Sequence, residues 1–439
     1  MFSLNLDKYD DLINKNYIKK MGRVAKVVGL TIESNGPEVN IGAICKIRAN
    51  KYSEYILAEV VGFRESFVLL MPLGPLSGIG PGSIVEATSN PLSIKISESL
   101  LGRILDGLGQ PIDDFDELDE GEEFSVTNQP PNPLERTRIK TPISLGVKAL
   151  DGLLTIGRGQ RVGIFAGSGV GKSTLMGMIA RNTNADINVI ALVGERGREV
   201  REFIEKDLGE EGLKRSVLVV ATSDKPALVR LKAAEVATSI AEYFRSKGKD
   251  VMLLMDSLTR YAMAQREVGL ATGEPPVTRG YTPSVFAVLP RLLERAGTDA
   301  VGSITGLYTV LVDGDDLTEP VTDTARGILD GHIVLSRKIA NRNHFPAIDV
   351  LASVSRVMTD IVDNKHLGLA KNIKKLMAVY NDAEDLINIG AYVKGSNAEI
   401  DQAIEKHTAI VAFLQQDVHD KFTLEQAIEE MARIVGTVG

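Results

Sequence analysis

The chain has 439 residues, 44% of them apolar, which is enough for two or three domains with their own cores. Lysine and arginine number 50 against 58 acidic residues, so the net charge is −8. This balance argues against a protein that binds nucleic acid or anionic membrane over its whole surface, and we expect no nucleic-acid partner. Cys45 is the single cysteine, which excludes an internal disulfide and indicates a reducing compartment, the cytoplasm. The sequence contains no run of about 18 apolar residues, so we expect no membrane-spanning segment.

Residues 1–20 form the first predicted segment. Their apolar side chains recur at steps of three and four residues, which predicts an amphipathic helix that needs a partner surface. The alternatives are packing on the neighbouring domain and a frayed terminus. The apolar positions are Phe2, Leu6, Tyr9, Ile13 and Tyr17.

Residues 21–96 alternate short apolar stretches with glycine and proline turn signals. "RVAKVVGLTIES" and "YILAEVVGF" are examples. This rhythm predicts a small all-β domain, a barrel. The acidic run "DDFDELDEGEE" at 113–123 and the proline-rich "NQPPNPLERTRIKTP" that follows predict a solvated, extended connection.

Residues 97–362 form the next predicted domain. From Arg161 onward, short apolar runs alternate with longer amphipathic stretches, and the segment from Lys225 to Lys247 has helical spacing. Strand, helix and strand at this frequency predict a parallel α/β sheet. The predicted strands contain "RVGIFAG", "INVIALVG", "SVLVVATS", "VMLLMDS", "YTVLVDG" and "HIVLSR".

Residues 363–439 lack strand-like runs and predict a C-terminal helical domain. Ser396 with Glu399, and Thr423 with Gln426, each form the pattern of a capping box at a helix start.

The stretch "FAGSGVGKST" at 165–174 matches G-x-x-x-x-G-K-[ST], with Ala166 in place of the first glycine. Such a turn between a strand and a helix cradles phosphate groups on backbone N–H groups. The Lys172 amine then reaches the β and γ phosphates of a nucleotide, and the Ser173 hydroxyl is a ligand for Mg²⁺. A glycine turn without a ligand is the alternative. The predicted binding residues are Gly167, Ser168, Gly169, Val170, Gly171, Lys172, Ser173 and Thr174.

Two carboxylates follow predicted strands and are candidates for hydrolysis. Asp256 ends "VMLLMD" and would lie beside the phosphate loop, where it can hold Mg²⁺; a turn or helix-capping aspartate is the alternative. Glu195 follows another strand in "LVGERGREVREF" and is the candidate to polarise the attacking water. The alternative for Glu195 is an ion pair with a nearby arginine.

The arginines carry little signal on their own. Arg196, Arg198 and Arg201 are expected to be solvated or ion-paired. Arg356, in "FPAIDVLASVSRVM", follows a strand-like run.

Several long segments occur in order and together resemble the ATPases of type III protein export, which are relatives of the catalytic subunits of rotary ATP synthases. The resemblance extends from about Gly22 to the C-terminus. Within that family, "TARGILDGHIVLSR" and "GRVAKVVGLTIESNGPEV" look most like the flagellar branch, and the virulence-injectisome branch is the alternative. The segments are "GSGVGKST", "GERGREVREF", "MDSLTRYAMAQREV", "TGEPPVTRGYTPSVFAVLPRLLERAG", "DGDDLTEPVTDTARGILDGHIVLSR" and "FPAIDVLASVSRV".

The resemblance implies a P-loop, RecA-like ATPase core in a homohexameric ring, with each ATP and Mg²⁺ between two subunits. It implies that Glu195 activates water, that Arg196 lies near phosphate and that Asp256 is the metal-side carboxylate. It also implies that Arg356 is an arginine finger given to the neighbour's nucleotide. Phe345 matches an adenine-stacking aromatic, and a core phenylalanine is the alternative.

The resemblance also implies partners. A stator-like regulatory protein would bind the N-terminal segment, and a central-stalk protein would meet the loops "TPSVFAVLPRLLERAG" and "VDGDDLTEP", for which an interior strand is the alternative. Export substrates, their chaperones and a membrane export gate would be contacted at the cytoplasmic face of the flagellar base. The competing functions are a rotary ATP synthase catalytic subunit and a nucleotide-binding structural subunit that does not hydrolyse ATP.

Overall fold

The computed structural model describes residues 19–88, 90–115, 118, 121–312, 316 and 318–436. The helix predicted at 1–20 therefore lies almost wholly outside the described residues. The described chain separates into two compact units: one extends to Ser93 and includes Ala271–Gly273, and the other contains the remainder. The domain boundaries expected near residues 20, 96 and 362 stay predictions.

The first unit is the barrel that the alternating pattern predicts. Within the described residues, six strands close on themselves in the order β1-β2-β5-β4-β3-β6. Alternate side chains such as Ile47, Leu70 and Val85 fill the interior, because successive residues of a strand face opposite sides. The strands are β1 (Met21–Val28), β2 (Thr31–Asn35), β3 (Ile44–Arg48), β4 (Ile56–Arg64), β5 (Phe67–Pro72) and β6 (Ile84–Ala87).

The second unit is built on a mixed sheet in the order β19-β18-β12-β17-β15-β13-β14-β8. The strands from β18 to β8 run parallel, and the edge strand β19 is antiparallel to β18. The remaining strands of the chain are β7 (Ser93–Ile96), β8 (Ile104–Asp106), β9 (Glu122–Ser125), β10 (Pro142–Ile143), β11 (Ile156–Gly157), β12 (Arg161–Ala166), β13 (Ile187–Val193), β14 (Ser216–Ala221), β15 (Asp250–Asp256), β16 (Gly297–Thr298), β17 (Ser303–Leu311), β18 (Gly331–Leu335) and β19 (Ile348–Ser355).

The strands predicted from apolar runs are confirmed. β13 and β14 are buried along their whole lengths, as expected where helices cover both faces of a parallel sheet. The proline-rich connection between β9 and β10 contains no helix within the described residues.

The helices of the second unit cover this sheet and then continue into a C-terminal bundle. A π-helical segment, Phe203–Leu208, joins two of them. No helix in the described part of the chain has the length and apolar character needed to cross a bilayer. The helices are α1 (Lys148–Leu153), α2 (Lys172–Asn182), α3 (Gly197–Glu202), α4 (Gly209–Lys214), α5 (Ala227–Ser246), α6 (Leu258–Thr272), α7 (Pro283–Arg295), α8 (Pro320–Ile328), α9 (Arg337–Ala340), α10 (Met358–Ile361), α11 (Asn364–Asn388), α12 (Ala398–Leu414) and α13 (Leu424–Val435).

The segment "TPSVFAVLPRLLERAG" was expected as a loop, with a strand as the alternative, and both expectations are wrong. It forms α7, which begins with Pro283 in its first turn. Val285, Leu289 and Leu292 are buried and recur at steps of four and three, the spacing of one helical face. The partner loop "VDGDDLTEP" lies largely outside the described residues, since 313–315 and 317 are not among them.

The C-terminal helical domain is confirmed, with one correction to its caps. Thr423 and Gln426 form the predicted capping box of α13. The box predicted at Ser396 is wrong, because the Ser396 hydroxyl donates to the Val393 carbonyl 2.7 Å away. Asn397 caps α12 instead, and its side-chain oxygen accepts from the Glu399 N–H at 2.9 Å.

A buried ion pair fastens α7 to α5. Arg295 donates to both carboxylate oxygens of Glu242 at 2.8 Å, and both side chains are 5% exposed. The guanidinium also donates to the Ser239 hydroxyl at 2.7 Å and to the Val126 carbonyl at 3.1 Å. This set of hydrogen bonds supplies the compensation that a buried charge requires.

Replacing Arg295 with leucine should destabilise the protein by about 3–5 kcal/mol, because Glu242 would remain buried without its counter-charge. The measurement is the urea midpoint of unfolding followed by circular dichroism. Lys375→Ala is the control, since Lys375 forms an ion pair with Glu399 in which both side chains are exposed; its effect should be below about 1 kcal/mol. Equal effects of the two substitutions on stability would show that the buried Arg295–Glu242 pair matters no more than an exposed ion pair.

Candidate active site

The glycine-rich turn joins β12, an interior strand, to the start of α2. Gly169 and Gly171 have φ angles of +78° and +87°, a conformation that glycine adopts without steric cost. Gly171 is the N-cap of α2, and Lys172 is the first helical residue. The turn therefore directs the free N–H groups of a helix N-terminus toward one point, where an anion is stabilised.

Lys172 reaches across to the end of β15, where its amine donates a short hydrogen bond to the Asp256 carboxylate. Asp256 is 4% exposed. The same carboxylate oxygen accepts from the Thr309 hydroxyl at 2.7 Å. Asp256 is thus the last residue of β15, and its carboxylate is held by two side-chain partners.

Glu195 joins this cluster from the end of β13. Its Oε1 lies 3.9 Å from the Lys172 amine and has no hydrogen-bond partner among the described residues. The predicted alternative, an ion pair with a neighbouring arginine, is not what the described residues form. Burial, reinforced by the negative charge of Asp256, raises the pKa of Glu195 to about 7, although Lys172 acts in the opposite direction.

A small cavity of about 20 Å³ lies at the centre of these side chains. Ser173, Glu195 and Asp256 all line it, and its size gives room for about one water molecule. Three residues predicted separately from three segments of the sequence are therefore brought to one point.

A larger cavity of about 660 Å³ lies beside the phosphate loop, within the range of small-molecule sites. Gly171 and Thr174 line one side, and the loop between α12 and α13, residues 415–420, lines another. Phe345 also lines it, close to Gly171, and is 42% exposed. Phe345 is therefore available for stacking, and the alternative of a core phenylalanine is wrong.

Arg356 lies at the opposite end of the sheet's parallel strands from the phosphate loop. Its N–H donates to the Asp330 carbonyl, and the Asp330 N–H donates to the carbonyl of Arg161, the first residue of β12. The phosphate loop follows the last residue of that strand, about 17–20 Å away at the usual rise per residue. The Arg356 side chain is exposed and donates to the Arg326 carbonyl at 3.2 Å. Arg356 is therefore well separated from the phosphate loop of its own chain.

Arg196 is not drawn into the cavity. Its side chain is 75% exposed and lies 3.5 Å from the Glu199 carboxylate, as expected for a solvated ion pair.

Two side chains near the cluster were missed by the sequence reasoning. Thr309 lies inside an apolar strand, where nothing in the local pattern distinguishes it from a core threonine. Arg260 packs against Gly194, and its charge acts on Glu195. Arg260 follows Asp256 by four residues, one turn of α6 after the strand end, and this spacing is a signal that the sequence offers.

A phosphate-binding turn, two strand-end carboxylates around one cavity and a parallel sheet define a P-loop nucleotide-binding protein. Comparison with known families makes this more specific. Residues 24–89 match the ATP synthase alpha/beta family, beta-barrel domain, and residues 146–355 match its nucleotide-binding domain. Residues 362–433 match the T3SS EscN ATPase C-terminal domain.

Curated relatives match over almost the whole chain. The flagellum-specific ATP synthase of Bacillus subtilis (strain 168) is 58% identical, covering 95% of this chain and 96% of the relative. The flagellum-specific ATP synthase of Treponema pallidum (strain Nichols) is 50% identical, covering 98% and 97%. The type 3 secretion system ATPase of Xanthomonas euvesicatoria is also 50% identical, covering 95% and 94%.

Two solved structures are similar to this chain over nearly its whole length. The assembled ATPase EscN of the enteropathogenic E. coli type III secretion system is 48% identical with a TM-score of 0.89, covering 94% of this chain and 100% of that chain. EscN in complex with its central stalk EscO gives a TM-score of 0.88 at the same identity and coverage. The chain belongs to the family of flagellum-specific and type III secretion ATPases, within the ATP synthase alpha/beta family, and it is an ATPase.

Replacing Thr309 with valine should slow ATP hydrolysis by about 10- to 150-fold, because a hydrogen bond to a charged group contributes about 1.5–3 kcal/mol. Steady-state rates across a Mg²⁺ titration provide the measurement. Thr305→Val on the same strand is the matched control, since the Thr305 hydroxyl accepts from the Gly159 N–H instead. A rate for Thr309→Val equal to that of the control would show that this hydroxyl does not support Asp256.

Proposed function

We propose that this protein hydrolyses Mg-ATP in a homohexameric ring and thereby assists the export of flagellar proteins through a type III export apparatus. The observation that carries the catalytic part is the convergence of Ser173, Glu195 and Asp256 on one cavity next to Lys172.

The phosphate end of ATP is held by the loop from Gly167 to Thr174. The left-handed turns at Gly169 and Gly171 and the N-terminus of α2 support this assignment. Lys172 supplies the charge on the β and γ phosphates. Its present partner is Asp256, so binding exchanges that partner for phosphate and frees the carboxylate for a cation.

The same residues fit Mg²⁺. This ion takes oxygen ligands, usually one or two side chains with phosphates and waters, and Ser173 with Asp256 supplies a hydroxyl and a carboxylate at one cavity. Mg²⁺, when bound, neutralises charge on the phosphate oxygens. Thr309 holds Asp256 in place by its hydrogen bond.

Glu195 is the residue that orients and deprotonates the attacking water. Its unpartnered Oε1 and the small cavity beside it support this role. The raised pKa, about 7, brings the carboxylate close to the range in which a general base is most effective near neutral pH. Arg260, and Arg196 after a side-chain movement, are the further cations available near the transferred phosphate.

The base of ATP occupies the larger cavity, with Phe345 stacked against it. The exposed ring and its closeness to Gly171 support this placement.

Arg356 serves the nucleotide of a neighbouring subunit. Its separation from the phosphate loop of its own chain supports a role in trans, because in a ring one subunit's free edge can face the next subunit's site. The assembled state of the EscN relative supports the ring. An arginine supplied in this way stabilises charge in the transition state.

The remaining partners follow the family. A central-stalk protein is supported by the EscN–EscO complex. A stator-like regulator at residues 1–20, export substrates with their chaperones, and a membrane export gate complete the proposal. These contacts would place the protein in the cytoplasm, peripheral to the flagellar base. The 58% identity to a flagellum-specific relative favours the flagellar over the injectisome branch.

Glu195→Gln should retain ATP binding and lose at least about 10²-fold in hydrolysis, because the amide has similar size but cannot accept the proton from water.

Lys172→Ala should lose at least about 10²-fold in hydrolysis through loss of phosphate stabilisation. Phosphate release and calorimetric ATP binding are the measurements. Retained activity within about tenfold for Lys172→Ala, or loss of binding for Glu195→Gln, would contradict these roles.

Arg356→Ala should bind ATP nearly normally and hydrolyse it at least about 10³-fold more slowly, the scale of arginine fingers. Mixing it with Lys172→Ala subunits should restore activity, because an intact phosphate loop then faces an intact arginine in some pairs. Ring formation is checked by analytical ultracentrifugation. Assembled mixed rings without any recovery would count against a shared site.

Deleting the gene in its own bacterium should abolish swimming and filament assembly while leaving any virulence-factor secretion intact. Complementation with the wild type, but not with Lys172→Ala, should restore motility. Loss of virulence-factor secretion with normal filaments would instead support the injectisome branch.

A further inference from the structure

One wall of the larger cavity is a short loop close to the C-terminal end of the chain. Residues 415–420 leave the end of α12 and supply Gln415, Gln416, Asp417, Val418 and Asp420 to the lining. A loop without regular hydrogen bonding needs side-chain contacts to hold one shape. Its shape decides how the cavity fits a planar ring placed against Phe345.

Gln416 makes several of those contacts, and Arg181 and Asn182 of α2 add hydrogen bonds to the Val418 and Asp420 carbonyls at 2.6 and 3.2 Å. The Gln416 backbone N–H donates to the Phe345 carbonyl at 3.1 Å. Its side-chain oxygen accepts from the Lys148 N–H at 3.0 Å. Its side-chain amide group donates to the Gly146 carbonyl at 2.8 Å and to the Asp420 carbonyl at 3.2 Å.

The arrangement requires an amide. The nitrogen of the Gln416 side chain faces two carbonyl oxygens and its oxygen faces an N–H, so both ends are specified. The residue is 7% exposed, and these bonds are therefore largely shielded from water. Losing them would leave the buried Gly146 carbonyl without this donor and the buried Lys148 N–H without this acceptor, which costs more than losing an exposed contact.

The position of Gln416 separates two parts of the nucleotide site. It joins the base-side loop, the Phe345 carbonyl and residues 146–148 at the start of α1. It does not line the small cavity around Ser173, Glu195 and Asp256. Whatever Gln416 controls should therefore concern the base more than the phosphates.

We propose that Gln416 is a positioning residue that fixes the base-side wall and so sets the affinity of the site for the base of a nucleoside triphosphate. This inference rests on the proposed function, since it assigns the larger cavity to the base. It adds that recognition of the base depends on a side chain that ties this wall to residues 146–148 at the start of α1.

The test compares ATP with inorganic tripolyphosphate, which carries the phosphate chain without a base. Gln416→Ala should weaken ATP binding by about five- to tenfold, the scale of one or two hydrogen bonds, and leave tripolyphosphate binding unchanged in calorimetric titrations. KM for ATP should rise by the same factor with little change in kcat.

Gln416→Glu provides a second variant of the same size. It keeps an acceptor for Lys148 but places a carboxylate against two carbonyl oxygens, so ATP binding should fall at neutral pH. Protonation of the introduced carboxylate restores a donor. The loss of ATP affinity relative to wild type should therefore become smaller as the pH is lowered from about 8 to about 5.5. Gln402→Ala, at an exposed position of α12, is the matched control and should match wild type with both ligands.

A variant that binds tripolyphosphate with the affinity of the wild-type protein has folded correctly. Equal weakening of ATP and tripolyphosphate, or unchanged ATP binding in both Gln416 variants, would overturn the inference. If Gln416→Ala does not fold, the pH series of Gln416→Glu decides. Failure of the wild type to bind ATP would instead refute the proposed function, so the two outcomes are distinguishable.

Discussion

The contact between Lys172 and Asp256 is the interaction around which the candidate active site is arranged. A carboxylate that is 4% exposed is tolerated only when a counter-charge and hydrogen bonds replace its water. Lys172 supplies the charge and Thr309 supplies a hydrogen bond. The first turn of α2 is thereby fastened to the end of β15, and the phosphate loop between β12 and α2 is held against the same edge of the sheet.

Strand direction then decides what each edge of the sheet can do. β12, β13 and β15 are parallel, so their carboxyl ends carry Lys172, Glu195 and Asp256 to one place. β19 runs the other way, so the residue after it, Arg356, emerges at the opposite edge. One reversed strand therefore keeps Arg356 away from Lys172, Glu195 and Asp256 within one chain.

The base-side cavity depends on a different part of the chain. Its walls come from the phosphate-loop helix, from the segment around Phe345 and from the loop after α12, which belongs to the C-terminal helices. Movements of those helices against the sheet would change the base-side wall directly.

Sequence alone determined much of this protein. The glycine-rich turn, the buried strands and the capping box at Thr423 are local patterns, because backbone conformation and periodic burial act over a few residues. The Ser396 cap and the nature of α7 were misjudged. A hydroxyl can choose between nearby backbone groups, and a helix containing Pro290 reads poorly from local pattern. Only tertiary structure decided which strand ends meet, that Thr309 donates to Asp256, that Arg356 lies far from its own phosphate loop and that Gln416 bonds to Gly146 and Phe345. Those facts depend on strand order, strand direction and contacts between residues as far apart as Gly146 and Gln416, which local sequence patterns do not encode.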